Sequence, residues 1–235
     1  RAYILKTALN ATQVRTLYDT ERRAFSPALT VRPAATAPQI DGRFEDACWA
    51  DQVVLEHFHG NDYDTRPAAH ASRVQLSYDA QHLFLAARCQ RPSGAPAATP
   101  LRARDDSASL ADNRLEVFLS PQPGTYYHLV VTAANGQLDQ KCTYVIERSG
   151  YAPGGFAEFS SDRSWDCPGL RTAVRRDDEA DWFEMAIPLS ALGAHSPDAR
   201  WRLNVVRGLS DARLASSFSP IFGGFHRPDQ FSELT

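Results

Sequence analysis

The chain has 235 residues, a net charge of −3 and a charged fraction of 23%. This length suits one large domain, and the slight negative charge excludes the strongly basic surface that binds nucleic acids or anionic membranes. No apolar run approaches the ~20 residues of a membrane-spanning helix, so we expect no membrane span. The four cysteines include no C-x-x-C pair, which argues against a zinc site. They can form two disulfides or remain buried free thiols.

Residues 1–37 differ in pattern from the rest of the chain. Apolar residues between 4 and 18 fit a helical face only loosely. The stretch 26–38 is rich in proline, alanine and threonine, which is typical of an extended connector. We therefore predict an N-terminal extension and connector over 1–37, followed by one domain over 38–235.

From residue 74 the chain shows the period-two alternation of β-strands. Val74, Leu76 and Tyr78 alternate with polar residues, and the pattern resumes over 83–89 after a turn at 79–82, which predicts a hairpin. Further alternating runs predict strands over 126–132, 141–148, 182–187 and 201–207. Many short strands without regular helices indicate an all-β protein. We expect an antiparallel β-sandwich of two packed sheets, jelly-roll-like or immunoglobulin-like.

The strand predicted over 114–119 carries the best polar candidate. Leu115 and Val117 share one face of this strand, and Arg114, Glu116 and Phe118 share the other. A carboxylate at position 116 can accept hydrogen bonds from two sugar hydroxyls, and it can equally pair with Arg114 on an exposed strand. Both interpretations stay open here. We predict an interior strand whose Glu116 points to a cleft rather than to the core.

Six segments in a fixed order give the chain a resemblance to a known family. They are 40–49 (IDGRFEDACW), 74–89, 112–119, 126–136, 182–190 and 225–234. Their order and spacing resemble the family 9 carbohydrate-binding modules and the related DOMON-type β-sandwiches, over roughly residues 38 to 234. The resemblance implies a non-catalytic module that binds a glycan or glycoconjugate in a secreted, periplasmic or cell-surface protein, with flanking enzymatic domains that act on carbohydrates.

The resemblance also implies where a sugar would bind. Members that bind cellulose and xylan clamp the reducing end between two tryptophans, assisted by an arginine, an asparagine and a strand glutamate. The glutamate is kept as Glu116. The first tryptophan position falls on Leu110 and the second on Phe225. The arginine position falls near Val130, with His128 on the same face, and the asparagine position falls near Phe222. The aromatic clamp is therefore reduced, and we expect simple disaccharides to bind weakly.

The tryptophans are the usual stacking residues for sugars, so their positions matter. Trp49, Trp182 and Trp201 lie within apolar alternation and are predicted to pack in the core. Trp165 lies between a loop and a strand, and either role fits it. The predicted carbohydrate-binding residues are Glu116, Arg114, His128, Phe225 and Trp165.

Three other kinds of binding site fit parts of the sequence, for calcium, for a transition metal and for haem. Acidic pairs can ligate a structural calcium ion, at 62 and 64, 105 and 106, or 177 and 178. His57 and His59 form an H-x-H pair that binds metal only if a third ligand converges. DOMON relatives also include haem proteins, in which Met185 could be an axial ligand, although it alternates with apolar residues as a core side chain does.

No nucleophile, zinc-hydrolase or phosphate-loop motif occurs in the sequence, so no enzymatic activity is predicted. Two alternatives to glycan binding remain. One is an interaction or structural β-sandwich that has lost the sugar site. The other is a haem- or metal-binding electron-transfer domain.

Overall fold

A computed structural model describes residues 8–10, 12–14, 28–60, 67–94, 100–147, 156–193, 201–211, 215–221 and 224–235. The prediction of an N-terminal extension therefore falls largely outside the described residues, as do the predicted loop residues 149–155. None of the described helices has the length and apolar character needed to cross a membrane.

The described residues form fourteen strands in two sheets. The six-stranded sheet contains β1 (Arg32–Pro33), β2 (Val53–Leu55), β4 (Ser72–Tyr78), β5 (His82–Gln90), β10 (Arg171–Arg176) and β11 (Ala180–Pro188). The eight-stranded sheet contains β3 (His59–Gly60), β6 (Arg114–Gln122), β7 (Thr125–Thr132), β8 (Gln137–Glu147), β9 (Phe156–Asp162), β12 (Trp201–Gly208), β13 (Ser216–Ser217) and β14 (Ser232–Leu234). Short 3-10 helices span Ala47–Trp49, Ser107–Ala111, Leu189–Leu192 and Pro228–Gln230.

The spatial order of the strands sets the position of the candidate site. The six-stranded sheet runs β1-β4-β5-β11-β10, with β2 paired to β4. The eight-stranded sheet runs β3-β13-β12-β6-β7-β8-β9, with β14 paired to β12. The paired strands are antiparallel except for β1 and β4. The two-sheet sandwich predicted from the sequence is confirmed, and β6 is an interior strand as expected.

The inner faces of the two sheets form one apolar core. Its members are fully buried and come from both sheets, among them Leu85, Val117, Leu129, Met185 and Val205. These are the residues that the period-two pattern placed on one strand face. Because Met185 lies inside this core, it packs between the sheets as its alternation indicated.

A charged cluster also crosses the core. The guanidinium of Arg207, on β12, donates to Asp181 Oδ2 on β11 at 2.9 Å, and both side chains are almost fully buried. Arg176 donates to the other oxygen of the same carboxylate at 2.6 Å. Asp181 therefore links the two sheets and neutralises charge in a region that water does not reach.

The segment 40–49 covers the outer side of the six-stranded sheet. Trp49 is 4% exposed and packs with Cys48, Phe84, Ala86 and Ala186. Cys48 and Trp49 are therefore buried against the sheet, whereas Asp41, Arg43 and Glu45 of the same segment are exposed.

One carboxylate anchors this segment to β11. Glu184 Oε2 accepts the backbone N–H groups of Asp41 and Gly42 at 2.9 and 2.8 Å, and Oε1 accepts the indole N–H of Trp49 at 3.2 Å. Gly42 has φ +82°, and a Cβ there would lie 3.0 Å from the backbone nitrogen of Arg175. Two of the segments that carried the family resemblance therefore meet at Glu184.

The other tryptophans differ in their packing. Trp201 is half-buried against the core between the sheets. Trp182 is half-buried on the outer side of its sheet, with the guanidinium groups of Arg88 and Arg175 at 5.3 and 5.0 Å from its ring. The prediction that Trp182 is a core residue is therefore wrong, because its neighbour Phe183 takes the inward position.

Several strand boundaries differ from the prediction. β8 begins at Gln137, directly after the turn in which Asn135 adopts φ +62°, and is longer than the predicted strand over 141–148. β9 and β10 were not predicted. The four cysteines are all buried and free, which decides between the two interpretations of the sequence.

Candidate functional site

The candidate site lies on the outer face of the eight-stranded sheet. We use "outer face" for the side of β12, β6, β7, β8 and β9 that points away from the core. Alternation on β6 turns Arg114, Glu116 and Phe118 to this face, because Leu115 and Val117 fill the core. Strand register then sets their neighbours.

The register aligns four side chains in one row across the outer face. Phe118 on β6 is paired with Asn204 on β12 and with His128 on β7, and His128 is paired with Gln140 on β8. All four side chains are buried. Gln140 Oε1 and Asn204 Nδ2 have no hydrogen-bond partner among the described residues, so this polar row retains unused hydrogen-bonding capacity.

Glu116 is the centre of a buried charge network. Its Oε1 accepts hydrogen bonds from Arg114 Nε and Nη2, both at 2.8 Å. His128 Nε2 donates to Oε2 at 2.7 Å, and Gln140 Nε2 lies 2.8 Å from His128 Nδ1. Glu116 and His128 are 3% and 2% exposed. Burial raises the pKa of Glu116, but the hydrogen bond from His128 and the charge of Arg114 outweigh it, and the pKa lies below its ordinary value.

A glycine provides the space for Arg114. Gly208 on β12 is paired with Arg114 on β6. A Cβ at Gly208 would overlap the guanidinium carbon of Arg114, so the missing side chain lets the arginine lie across β12 and reach Glu116.

Aromatic rings cover this network. Phe118 stacks on His128 with ring centroids 4.1 Å apart, and His226 meets the edges of both rings at 5.4 and 5.3 Å. His226 in turn stacks on Phe159 at 4.3 Å with an interplanar angle of 1°. Tyr126 Oη and His226 Nδ1 are 2.7 Å apart. The pKa of His226 is lowered to about 4, first by burial, then by the electrostatic effect of His128, with a smaller contribution from Arg163, so the ring is neutral at physiological pH.

The structure brings together four of the five predicted site residues. Arg114, Glu116 and His128 are in direct contact, and Phe225 is half-buried against the aromatic cluster that contains Phe118. Trp165 is separated from them. It packs on Tyr127 with ring centroids 4.8 Å apart, against the core on the opposite side of the sheet.

The structure bears on the prediction that Glu116 points to a cleft rather than to the core. The side chain points away from the core, as expected, but it lies beneath Arg114 and the aromatic rings rather than in an open cleft. Val130, at the expected arginine position, is a buried neighbour of Glu116. Phe222, at the expected asparagine position, lies outside the described residues.

Sequence reasoning missed two of the outer-face residues, His226 and Phe159. His226 lies in the segment 225–234, which contributes to the family resemblance, but no pattern indicates that its ring reaches β6. Phe159 is on the unpredicted strand β9, where it is paired with Tyr144 and is 48% exposed. Its exposure could not be inferred from sequence because strand β9 itself was not recognised.

One group of carboxylates has metal-ligand spacing. Atoms of Asp105, Asp139 and Asp166 lie within 4.8 Å of one another. The guanidinium of Arg104 already bonds two of them, through Nη2 to both oxygens of Asp139 at 2.7 Å and through Nε to Asp166 at 2.8 Å. Burial raises the pKa of Asp139. A bound arginine supplies the positive charge that a calcium ion would otherwise bring.

The remaining metal candidates have structural roles in the described residues. Asp106 caps the 3-10 helix that follows it, and Asp177 accepts the indole N–H of Trp182 at 2.6 Å. His57 adopts φ +61°, is exposed and precedes β3, so one strand does not carry both histidines of the H-x-H pair. Residues 62 and 64 lie outside the described residues.

A cavity of about 420 Å³ lies elsewhere, on the six-stranded sheet, and is lined by Arg88, Arg91, Asp178 and Glu179 among others. Arg88 pairs with Glu179 at 2.8 Å, and Arg91 donates to the carbonyl of Asp178 at 2.8 Å. Arg91 Nε has no hydrogen-bond partner among the described residues, but the cavity contains none of the predicted site residues. We therefore base the site on the outer face of the other sheet.

No protein-family model and no curated protein sequence matches the chain. Solved structures do match it. A candidate carbohydrate-binding protein from Bacteroides uniformis has a TM-score of 0.65 and 17% identity, over 89% of this chain and 98% of that one. A family 9 carbohydrate-binding module from Caldicellulosiruptor kristjanssonii gives TM-scores of 0.57 in complex with cellotriose and 0.54 in complex with glucose. Both are 14% identical and cover 88% of this chain, and 92% and 94% of those chains. The likeness is one of fold.

Proposed function

We propose that the chain is a non-catalytic carbohydrate-binding domain whose outer face holds the glycan. One observation carries this proposal. Phe159 presents an exposed ring, stacked flat on His226, beside the buried network of Glu116, His128 and Gln140. Sugars bind through the same combination, because their C–H faces pack on flat rings while their hydroxyls need fixed hydrogen-bonding partners. The shared fold with carbohydrate-binding modules supports it.

We also propose that the chain does not catalyse a reaction. A general acid must hold a proton near neutral pH, which needs a raised carboxyl pKa. The pKa of Glu116 is lowered instead, so its carboxylate is ionised and can only accept hydrogen bonds. The environment of the strongest polar residue therefore suits binding and orientation rather than proton transfer.

The residues at the two expected tryptophan positions determine which sugars we expect to bind. Leu110 and Phe225 occupy the positions expected for tryptophans, so indole stacking is missing from both. We expect cellobiose and xylobiose to bind weakly, and longer or charged glycans to bind better. Such glycans occur outside cells, and we place the protein outside the cytoplasm as part of this proposal, with linked enzymatic domains as a further expectation.

A second candidate function has one observation in its favour. Glu116 is only 3% exposed and is already bonded to Arg114 and His128. A carboxylate that is buried and bonded in this way can serve to fix the sheet rather than to bind a ligand. The chain would then be an interaction or structural β-sandwich without a sugar site.

A glycan array followed by titration calorimetry distinguishes the two functions. If the proposal holds, Phe159→Ala should weaken binding of the best glycan roughly ten- to hundredfold, since an aromatic stacking contact is worth about 1–3 kcal/mol. Tyr78→Ala is the matched control, because Tyr78 is an exposed aromatic residue on the six-stranded sheet. Equal loss in both variants, or no glycan bound by the parent protein, would favour the structural function.

A further inference from the structure

The outer face continues along β9 to the edge of the sheet. Phe159 and Ser161 are paired with Tyr144 and Cys142, which lie on the outer face. Arg163 follows two residues later, in the turn after the strand, and the side chains of Phe159, Ser161 and Arg163 are all exposed. Period two turns Phe159 and Ser161 to the same side of β9, and Arg163 in the following turn completes an exposed row of an aromatic ring, a hydroxyl and a guanidinium.

Arg163 is the cation of this row, and it makes no ion pair with any residue that the structure describes. The carboxylate beside it, Asp162, instead accepts the backbone N–H and the hydroxyl of Ser164 at 2.9 and 2.6 Å. By contrast, Arg114 is paired with Glu116 on the same face. The guanidinium of Arg163 is close enough to contribute to the low pKa of His226, after burial.

Among the described residues, the other arginines of the outer face have anionic partners. Arg227 makes two hydrogen bonds of 2.9 Å to the carboxylate of Asp229. Arg202 lies 3.8 Å from Glu233 and also reaches backbone carbonyls. Of the arginines that the structure describes on this face, Arg163 is thus the exposed one without an ion pair, and it follows the exposed ring of Phe159 along the chain.

We propose that the outer face binds an acidic oligosaccharide, with one sugar ring stacked on Phe159 and the anionic group of another sugar paired with Arg163. This inference rests on the proposed carbohydrate-binding function and specifies its substrate class. Phe159 and Arg163 are four residues apart along the chain, up to about 13 Å if the chain were fully extended, so we expect an oligosaccharide rather than a single sugar to reach both. Guanidinium groups pair well with carboxylate and with sulfate, so uronic-acid chains and sulfated chains share the required chemistry.

The test is calorimetry with matched neutral and acidic ligands. Cellotriose and xylotriose are the neutral probes, trigalacturonate is the carboxylate probe, and a sulfated trisaccharide is the sulfate probe. We expect one of the acidic probes to bind the parent protein at least tenfold more tightly than either neutral probe. Binding should weaken when salt is raised from about 50 to about 200 mM, because ions screen exposed charge pairs.

Three variants locate the effect. Arg163→Gln should abolish the preference for the acidic probe, and Arg163→Lys should retain part of it. Arg171→Gln is the control, since Arg171 is an exposed arginine on β10 of the other sheet and its replacement changes the net charge equally. Both positions are exposed, so thermal melting should show the parent stability in each of the three variants.

The outcomes separate the two proposals. If neutral probes bind the parent protein as tightly as acidic ones, the acidic substrate class is overturned and glycan binding stands. If the acidic preference survives in Arg163→Gln, the role of Arg163 is overturned. If neither class of sugar binds at millimolar concentration, the proposed function fails together with this inference.

Discussion

The substitution Glu116→Gln tests the charge network of the outer face. It keeps the size of the side chain but removes the charge that neutralises Arg114, whose side chain is 12% exposed. Removing one partner of a buried ion pair costs about 3–5 kcal/mol. The partial exposure of Arg114 favours the lower value, about 3 kcal/mol. A domain of this size loses roughly 2–4 °C of melting temperature per kcal/mol, so we expect the midpoint to fall by roughly 6–12 °C.

The same substitution should weaken glycan binding if Glu116 accepts a sugar hydroxyl. A hydrogen bond to a charged group contributes about 1.5–3 kcal/mol, which corresponds to a loss of affinity of tenfold or more. Calorimetry at a temperature well below the melting midpoint measures this effect on folded protein. Circular dichroism melts measure the stability of the same samples.

Asp181→Asn is the matched control for this experiment. It breaks the buried cluster with Arg207 and Arg176 on the core side of the sheet, without changing a side chain of the outer face, and should cost at least as much stability. Only Glu116→Gln should weaken binding. Parent-like affinity in a folded Glu116→Gln variant would refute the role of Glu116, and equal loss in Asp181→Asn would show that general destabilisation causes the effect.

Three further predictions concern stability. The pKa of His226 is about 4 in the folded protein and about 6.5 when unfolded, so the unfolded chain gains the proton first as the pH falls. The free energy of unfolding should therefore fall by up to about 3 kcal/mol between pH 6.5 and pH 4. Urea titrations should show a smaller fall in His226→Gln, and an identical fall would contradict the assignment of the effect to His226. Trp49→Ala should cost about 3–5 kcal/mol in the same assay, since it empties a buried site and removes a donor from Glu184; a variant as stable as the parent would show that the segment 40–49 is not anchored as described. Chelation with EDTA should leave the melting temperature of the parent unchanged, because Arg104 already bonds Asp139 and Asp166. Added calcium should stabilise the Arg104→Gln variant, in which this arginine is missing. A drop of several degrees in the melting temperature of the parent on chelation would indicate a structural calcium ion.

The sequence predicted the elements whose burial follows a simple alternation. Leu115 and Val117 had to turn inward, so Arg114 and Glu116 had to turn outward, and the structure confirms this. The family resemblance also indicated His128, as a polar neighbour of the expected arginine position near Val130, and the structure brings its ring into contact with Glu116. The two side chains are 2.7 Å apart.

The parts that could not be predicted depend on long-range register. Strand β9 has the sequence FAEFSSD, whose alternation is too weak to identify a strand or the outward side of Phe159. His226 reaches Tyr126 from 100 residues away, and no local pattern encodes that contact. Trp165 could point to either side of the sheet, since a shift of one residue reverses the direction of a side chain.

The central claim is that a glycan binds on the outer face of the eight-stranded sheet. The most direct measurement is an NMR titration of isotope-labelled protein with the best-binding oligosaccharide, following the backbone amide signals. Our account predicts that the largest shifts map to β6, β7, β8 and β9 around Glu116, His128 and Phe159. Shifts confined to the six-stranded sheet, around Trp182 or the cavity beside Arg91, would contradict it.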